Sequence, residues 1–513
     1  MLAPLFLLLA LLAPDEELVA EFLRYYGKDK SPVQRREAVL NLAEADSLSA
    51  TKALVEAFED EEFLVRRAAV EVVAGFRTEE SARWLVEGVL EDRKLSRNKE
   101  LVASVAEALG GMGFDLALDP LVALMENRDL NVRLGALAGL GRLGEAGRGA
   151  VPTLVARVQT GKLDEVETVA TLAALGAIGD AEGANPAVLT GLGHESKHVR
   201  LAAIAEVERL RLKDGVRPLI MMMGEDPDTR VQEDAYEVLK VLTLRSFDDS
   251  VEAWLRWWDR NETRFELPDL EKVAEAKKLL AEQGSRYSVG AKSFQDIQTK
   301  SENIVFVIDV SQSMSEPFGD PERLKASGRE YSSLQRLEIV KEELINTVEA
   351  LTETTNFNIV AYATDVDIWK RKAVKASVLN RSNARGWIEA LKPKGGQQAN
   401  FRQRMGHLDR QSDEGKTNTH LALMTAFGED IDDRKSNAFV TKITDPVDTI
   451  FFLTDGEPTV GKTVDMSEIR EEVKRVNAFR GVQLHVIYVG AFGGDDFRKL
   501  AEDNGGVFVS IGG

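Results

Sequence analysis

The sequence predicts a multidomain chain: an α-solenoid of helix pairs, then an α/β domain with a doubly wound, mostly parallel sheet. Three observations carry this. Alanines at 69, 103, 136, 170, 203 and 235 recur at spacings of 34, 33, 34, 33 and 32 residues. Two short apolar runs, Ile304–Ile308 and Thr449–Leu453, each lead to an aspartate. Around them, strand-like and helix-periodic segments alternate from residue 303 to 513, the pattern of parallel strands with crossover helices.

Bulk properties bound the answer. The 513 residues suit about two to four domains. Hydrophobic content of 44% and charged content of 29% are those of a folded, water-exposed chain. A net charge of −20 argues against nucleic acid as a partner, because phosphate contacts need Lys and Arg. There is no cysteine, which excludes thiol catalysis, Cys-type metal sites and disulfides. Leu5–Ala13 is apolar but far short of the roughly 20 residues that span a bilayer. It has the length of a signal-peptide core, without a basic start or an A-x-A site. Residues 1–14 therefore read as a possible signal peptide. The expected location is outside the cytoplasm (periplasm, cell envelope or secreted), with a cytoplasmic first helix as the alternative.

Residues 15–261 read as the solenoid. Val-Arg followed by an alanine four residues after the valine recurs as VRRAA from Val65, VRLGA from Val132 and VRLAA from Val199. Weaker copies are VETVA from Val166 and VQEDA from Val231; with the unit anchored by Ala103 and a looser copy at Val33 there are seven units. In the unit from Asp129, Val132, Ala136, Leu137, Leu140 and Leu143 form a helical stripe. Gly144–Gly149 breaks it, and a second helix starts at Val151. One helix pair cannot bury its own apolar face, so the units must stack. Trp254, Trp257 and Trp258 share a helix face and are expected to close the last unit. Residues 262–302 read as a connector with one helix, Leu270–Gln283, and a Gly/Ser/Tyr stretch from Gly284.

From residue 303, helices are expected at Leu334–Leu351, Ala384–Leu391, Thr419–Phe427, Met466–Phe479 and Asp495–Asp503. Strands are expected at Phe357–Ala363, Asp367–Ala373, Leu484–Val489 and Val507–Ile511, besides the two apolar runs. The unbroken apolarity of Ile304–Ile308 marks a strand buried on both faces. In such sheets ligands bind past the carboxyl ends of the strands. Asp309, Ser311 and Ser313 stand there and offer hard oxygens, which suit Mg²⁺. Thr417, in a loop before a helix, and Asp455, at the end of the second apolar strand, are placed to join them.

The unit length and the Val-Arg plus Ala signature resemble short HEAT-type repeats, over roughly residues 30–243. That resemblance implies a protein-binding scaffold. The segments FVIDVSQSM, GKTNTHLAL, FLTDGEPT and LAEDNGGVFVSI resemble, in order, the von Willebrand factor type A (vWA) domain with its metal-ion-dependent adhesion site, over residues 303–513. The resemblance implies a Rossmann-like sheet with Mg²⁺ or Mn²⁺ as cofactor. It implies that Ser311, Ser313 and Thr417 ligate the ion directly and that Asp309 and Asp455 act mostly through water. Neutral hydroxyls leave the cation electron-poor, so it still favours an anionic ligand. In the family that ligand is a carboxylate of a protein partner. Gln312 stands where many relatives have Gly. Residues 395–414, with Arg402, Arg404, His407 and Arg410, and residues 428–447 are insertions. No helix follows Ile511, so the affinity relay some relatives build from a final helix is not expected.

Gly456–Thr463 (GEPTVGKT) matches the phosphate-binding pattern GxxxxGK[ST]. That mechanism needs the helix to begin at the Lys-Thr pair. Here the better start is Asp465 with Glu468 behind it, and Pro458 removes an amide from the loop. The histidines at 194, 198, 407, 420 and 485 form no metal-ligand motif, and no hydrolase signature is present. The sequence therefore points to a non-enzymatic, metal-dependent protein-binding or adhesion scaffold whose partner exposes an acidic residue. The alternatives are a vWA subunit of an ATPase/chelatase-type machine, or a structural envelope scaffold.

Overall fold

The computed structural model describes residues 14–27, 30–248, 250–283, 292–294, 297–319, 331–395, 415–429, 447–489 and 494–510. The apolar run Leu5–Ala13, the stretch after Gly284, the four basic residues of the first insertion and nearly all of the second lie outside them. Among the described residues there are two compact units, one ending at Gly215 and the other beginning at Val216.

The first unit is built of helix pairs. Asp129 accepts hydrogen bonds from Asn131 N and Val132 N and so starts the helix Leu130–Leu143. Val132, Ala136, Leu137, Leu140 and Leu143 are all buried, as their periodicity demands. A 3₁₀ turn, Gly144–Ala150, then leads into Val151–Gln159, which carries Pro152 in its first turn. Ala69, Ala103, Ala136, Ala170 and Ala203 are buried in this unit. The reason for small residues is visible between Lys99–Met112 and Leu130–Leu143. A Cβ on Gly110 would stand 2.0 Å from Gly139 O, and one on Gly139 would stand 2.3 Å from Ala106 O.

The arginine of the repeat signature has a local task. Arg66 Nη1 donates to Asp60 O and Glu61 O at 2.5 and 3.1 Å. Arg133 Nη1 does the same to Asn127 O and Arg128 O (3.0 and 3.2 Å), and Arg200 Nη1 to His194 O and Glu195 O (2.9 and 2.8 Å). In each case the guanidinium folds back onto the loop that feeds its own helix and satisfies two of that loop's carbonyls. The copy from Val166 has Glu167 instead, and there the carboxylate receives Arg133 at 2.9 Å and Arg157 at 2.5 Å.

The second unit opens with the helices Val216–Glu225, Thr229–Thr243 and Val251–Asn261. Ala235 is buried here, and Gln232, in the place of the repeat arginine, donates from Nε2 to Asp226 O at 2.7 Å. Trp254 and Trp258 are fully buried, while Trp257 packs between Phe247 and Phe265. A helix follows at Leu270–Gln283. The connector also holds a hairpin absent from the expectations, β1 (Lys292–Phe294) with β2 (Ile297–Thr299). Thr229 Oγ1 donates to Lys300 O at 2.7 Å, so the helix Thr229–Thr243 is tied to the segment that feeds the main sheet.

That sheet has seven strands: β3 (Asn303–Asp309), β4 (Asn356–Tyr362), β5 (Val366–Ile368), β6 (Val374–Lys375), β7 (Thr449–Thr454), β8 (Gln483–Tyr488) and β9 (Phe508–Ser510). The spatial order is β5-β4-β3-β7-β8-β9, with β6 also on β4. Strands β4, β3, β7, β8 and β9 run parallel, whereas β5 and β6 run antiparallel to β4. A single strand was expected over Asp367–Ala373; two short ones flank that stretch instead. Its exposed Arg371 and Lys372 keep this edge from offering one long pairing surface. Central β3 is buried on both faces. Ile304, Phe306 and Ile308 share a core with Leu337, Val340, Leu344 and Ile388 from the helices Arg336–Ala350 and Val378–Ala390. The helix Thr419–Ala426 also packs against β3 and β4.

Replacing Gly139 by Ala should therefore destabilise the first unit by about 1–3 kcal/mol through overpacking. The check is the urea midpoint of helical circular dichroism; an unchanged midpoint would contradict the close approach.

Candidate functional site

The parallel register places the ends of β3 and β7 side by side. Ile308 pairs with Leu453 across β7 and Asp309 with Tyr362 across β4. The residues following the two strands thus emerge together, and both aspartates are buried there, Asp309 completely.

The loop after β3 turns at once around its own aspartate. Ser311 N donates to Asp309 Oδ1 at 2.7 Å, and Val310 N donates to Tyr362 O at 2.8 Å. Ser311 Oγ lies 3.0 Å from Ser313 Oγ, and Ser313 Oγ donates to Asp455 Oδ1 at 2.8 Å. Thr454 Oγ1 stands 3.2 Å from Asp309 Oδ2. Asp309, Ser311, Ser313 and Asp455 are therefore joined in one hydrogen-bonded chain, through the Ser311 amide and the two serine hydroxyls. Thr417 comes from a loop fastened on three sides. Gln312 N donates to Gly415 O at 3.0 Å, Asn418 N to Ala363 O at 2.9 Å, and Thr417 N to Thr459 Oγ1 at 2.9 Å. A Cβ on Gly415 would be 2.7 Å from Lys394 O, so this loop passes where only glycine fits. Thr417 is buried, yet among the described residues its hydroxyl makes no hydrogen bond to the other four.

The electrostatics of this cluster are strained in one direction. Burial, and then the charge of Asp455, push the Asp309 carboxyl up to about 7. Tyr362 Oη is buried beside Asp309 and Thr454 and has no hydrogen-bond partner; the same burial raises its pKa. Thr419 Oγ1, at the start of the neighbouring helix, is another buried hydroxyl without a partner. Two crowded carboxylates set among the hydroxyls of Ser311, Ser313 and Thr454 fit a small hard cation, whose charge would offset the repulsion. Among the described residues no group of three or more His, Asp or Glu side chains gathers as a cation site. The donor set at Asp309 is instead rich in hydroxyls.

Three neighbours were not foreseen. Thr454 ends β7, just before Asp455, and its hydroxyl reaches Asp309 across the strand pair. Tyr362 ends an apolar strand, and only strand register brings it to Asp309. Arg336 Nη1 donates to Asp455 Oδ2 at 2.9 Å from 119 positions away, a pairing no local spacing signals.

This fold and arrangement define the class: a helical-repeat array followed by a doubly wound, mostly parallel α/β domain. Residues 19–98, 93–174 and 169–240 match the family model of HEAT repeats, and residues 303–511 match that of the von Willebrand factor type A domain. The chain is a HEAT-like repeat array followed by a vWA domain. Human inter-alpha-trypsin inhibitor heavy chain H4 is 30% identical over 218 residues, covering 42% of this chain and 18% of the relative. Mouse inter alpha-trypsin inhibitor, heavy chain 4, is 25% identical over 220 residues, again 42% of this chain and 18% of the relative. The matches thus span less than a fifth of the length of these relatives. Among solved structures, conserved hypothetical protein BatB from Bacteroides thetaiotaomicron is 16% identical and covers 41% of this chain and 89% of its own, with a TM-score of 0.26.

The loop that matches the phosphate-binding pattern is built for another purpose. The helix Met466–Asn477 begins after Asp465, whose side chain accepts from Ser467 N and Glu468 N. Lys462 Nζ is turned to Glu472 Oε1 at 2.6 Å, and His420 Nε2 lies 2.7 Å from Glu472 Oε2. This trio, with His420 and Glu472 buried and Lys462 at the surface, ties the helix after Thr417 to the helix after Asp455. The remaining histidines are structural too. His198 Nδ1 meets Glu165 Oε1 at 2.8 Å, His194 Nδ1 accepts from Ser196 N at 3.0 Å, and buried His485 is pushed down to about 3 by desolvation. His407 lies outside the described residues.

Burial alone would raise Glu472, but the hydrogen bond to His420 and the charge of Lys462 outweigh it and hold the carboxyl at about 2, against an ordinary 4.5. A carboxylate lowered in this way contributes stability above its unfolded value and loses it as pH falls toward about 2. The shift is worth about 3 kcal/mol. The melting-temperature gap between the wild type and Glu472→Gln should therefore narrow steadily from pH 5 to pH 2; a constant gap would mean the trio is not charged.

Proposed function

We propose that this protein is a metal-dependent protein-binding scaffold. Asp309, Ser311, Ser313, Thr417 and Asp455 would hold Mg²⁺ or Mn²⁺, and an exposed carboxylate of a partner protein would complete the shell. The observation that carries this reading is the convergence of Asp309, Ser311, Ser313 and Asp455 at the ends of two parallel strands. When bound, the ion supplies an electrophilic centre with room for an anionic oxygen. The chain's own groups do the rest. Ser311 N orients Asp309, Ser313 orients Asp455, and the three hydrogen bonds around residues 415–418 hold Thr417 at the rim.

In this reading the repeats, residues 15–261, present the vWA domain, residues 303–513, with 262–302 as connector. The role is binding rather than catalysis, and the partner is a protein rather than a nucleic acid, which a net charge of −20 supports. Among the described residues no helix is long and apolar enough to cross a membrane. Export is part of the proposal and rests on the apolar run Leu5–Ala13.

The test is a pull-down with the full chain as bait, in Mg²⁺ and in EDTA. Partner capture should require Mg²⁺ and be lost in Asp309→Ala, while circular dichroism stays that of the wild type. Capture that persists in EDTA would refute the proposal.

A further inference from the structure

Arg336 is the first residue of the helix Arg336–Ala350, and two bonds set its place. Its backbone N donates to Glu316 O at 3.1 Å, and its Nη1 donates to Asp455 Oδ2 at 2.9 Å. The Asp455 side chain is 0% exposed and that of Arg336 20%, so the pair is largely shielded from water. Because Ser313 takes the other oxygen, Asp455 is engaged on both sides. Among the described residues, two further carboxylates near the guanidinium are in solvent. Glu316 Oε2 lies 3.6 Å from Nη2 with its side chain 64% exposed, and Glu457, which shares the surroundings of Tyr488 with Arg336, is exposed as well.

We infer that Arg336 sets the ligand preference of the site, weakening its hold on the cation and strengthening its hold on an anionic ligand. This deepens the reading given under Proposed function and rests on it. Among the described residues the buried centre contains two carboxylates and one guanidinium, so a divalent cation leaves it one positive charge in excess. Without Arg336 the same centre would be neutral once loaded. Coulomb energies at this range and partial burial are large enough to matter, and they act with opposite signs on the two ligands. The guanidinium repels the arriving cation and attracts the carboxylate that follows. A residue that merely braced the loop would, on removal, weaken both ligands together.

The experiment uses the full chain, with Mn²⁺ alone and then Mn²⁺ plus acetate as a carboxylate probe. Calorimetry reads Mn²⁺ affinity, and water-proton relaxation reads the displacement of water from bound Mn²⁺ by acetate. Arg336→Gln should bind Mn²⁺ at least about threefold more tightly, and acetate at least about threefold more weakly. Arg336→Lys should stay near the wild type in both. Glu316→Gln, an exposed change of opposite sign, should move both constants the other way and serves independently if Arg336→Gln fails to fold. Parallel losses of both ligands, or no change in either, would overturn the inference while leaving the metal site standing. A wild type that binds no Mn²⁺, or Mn²⁺ binding that survives Asp309→Ala, would defeat the metal site itself and this inference with it.

Discussion

Two acidic side chains meet at the ends of neighbouring parallel strands, one of them completely buried, and the surroundings answer to that fact. Parallel pairing of β3 with β7 leaves no freedom in where Asp309 and Asp455 emerge. Each carboxylate is then met by donors: the Ser311 amide and Thr454 hydroxyl at Asp309, Ser313 and Arg336 at Asp455. Even so, burial and then the charge of Asp455 outweigh these donors and push the Asp309 carboxyl up to about 7. In the proposed function, a cation bound at this site would offset the crowding of negative charge. The rigid sheet behind it preserves the crowding, because β3 is packed on both faces and cannot relax.

Much of this was legible in the sequence because the decisive features are local. The run Ile304–Ile308 declared a strand buried on both faces, and Asp309-x-Ser311-x-Ser313 followed it without interruption. Asp455 was legible for the same reason after Thr449–Leu453. Thr417 needed the family pattern, since only its position before a helix marked it. The unforeseen parts depend on tertiary contacts. Arg336 reaches Asp455 only because its helix starts beside the loop at Glu316. Tyr362 meets Asp309 only through strand register. The hairpin β1–β2 and the short edge strands β5 and β6 were missed or merged because two or three residues carry too little periodicity to read.

The repeat array shows a different balance. Its period was plain from the alanines, and their burial follows from the close approach of successive helices. The recurrent arginine was equally plain as a letter, but its work was not. Its carbon count suits a reach back to the carbonyls five and six residues earlier, and the structure repeats that bond at Arg66, Arg133 and Arg200. Where Gln232 replaces it, one of the two bonds is kept by a shorter donor. Where Glu167 replaces it, the charge is reversed and the partners become arginines from elsewhere.

That bond has a consequence for how such an array can arise and change. The clasp joins groups within seven consecutive residues, so a unit carries the means to shape its own entry turn. Copying or deleting one whole unit leaves the turns of its neighbours intact, and only the flat apolar faces must still match. The copy from Val166, whose glutamate relies on Arg133 and Arg157, has given up this independence and is bound to the company it keeps. Modularity in this chain is therefore uneven, a property of individual units rather than of the array.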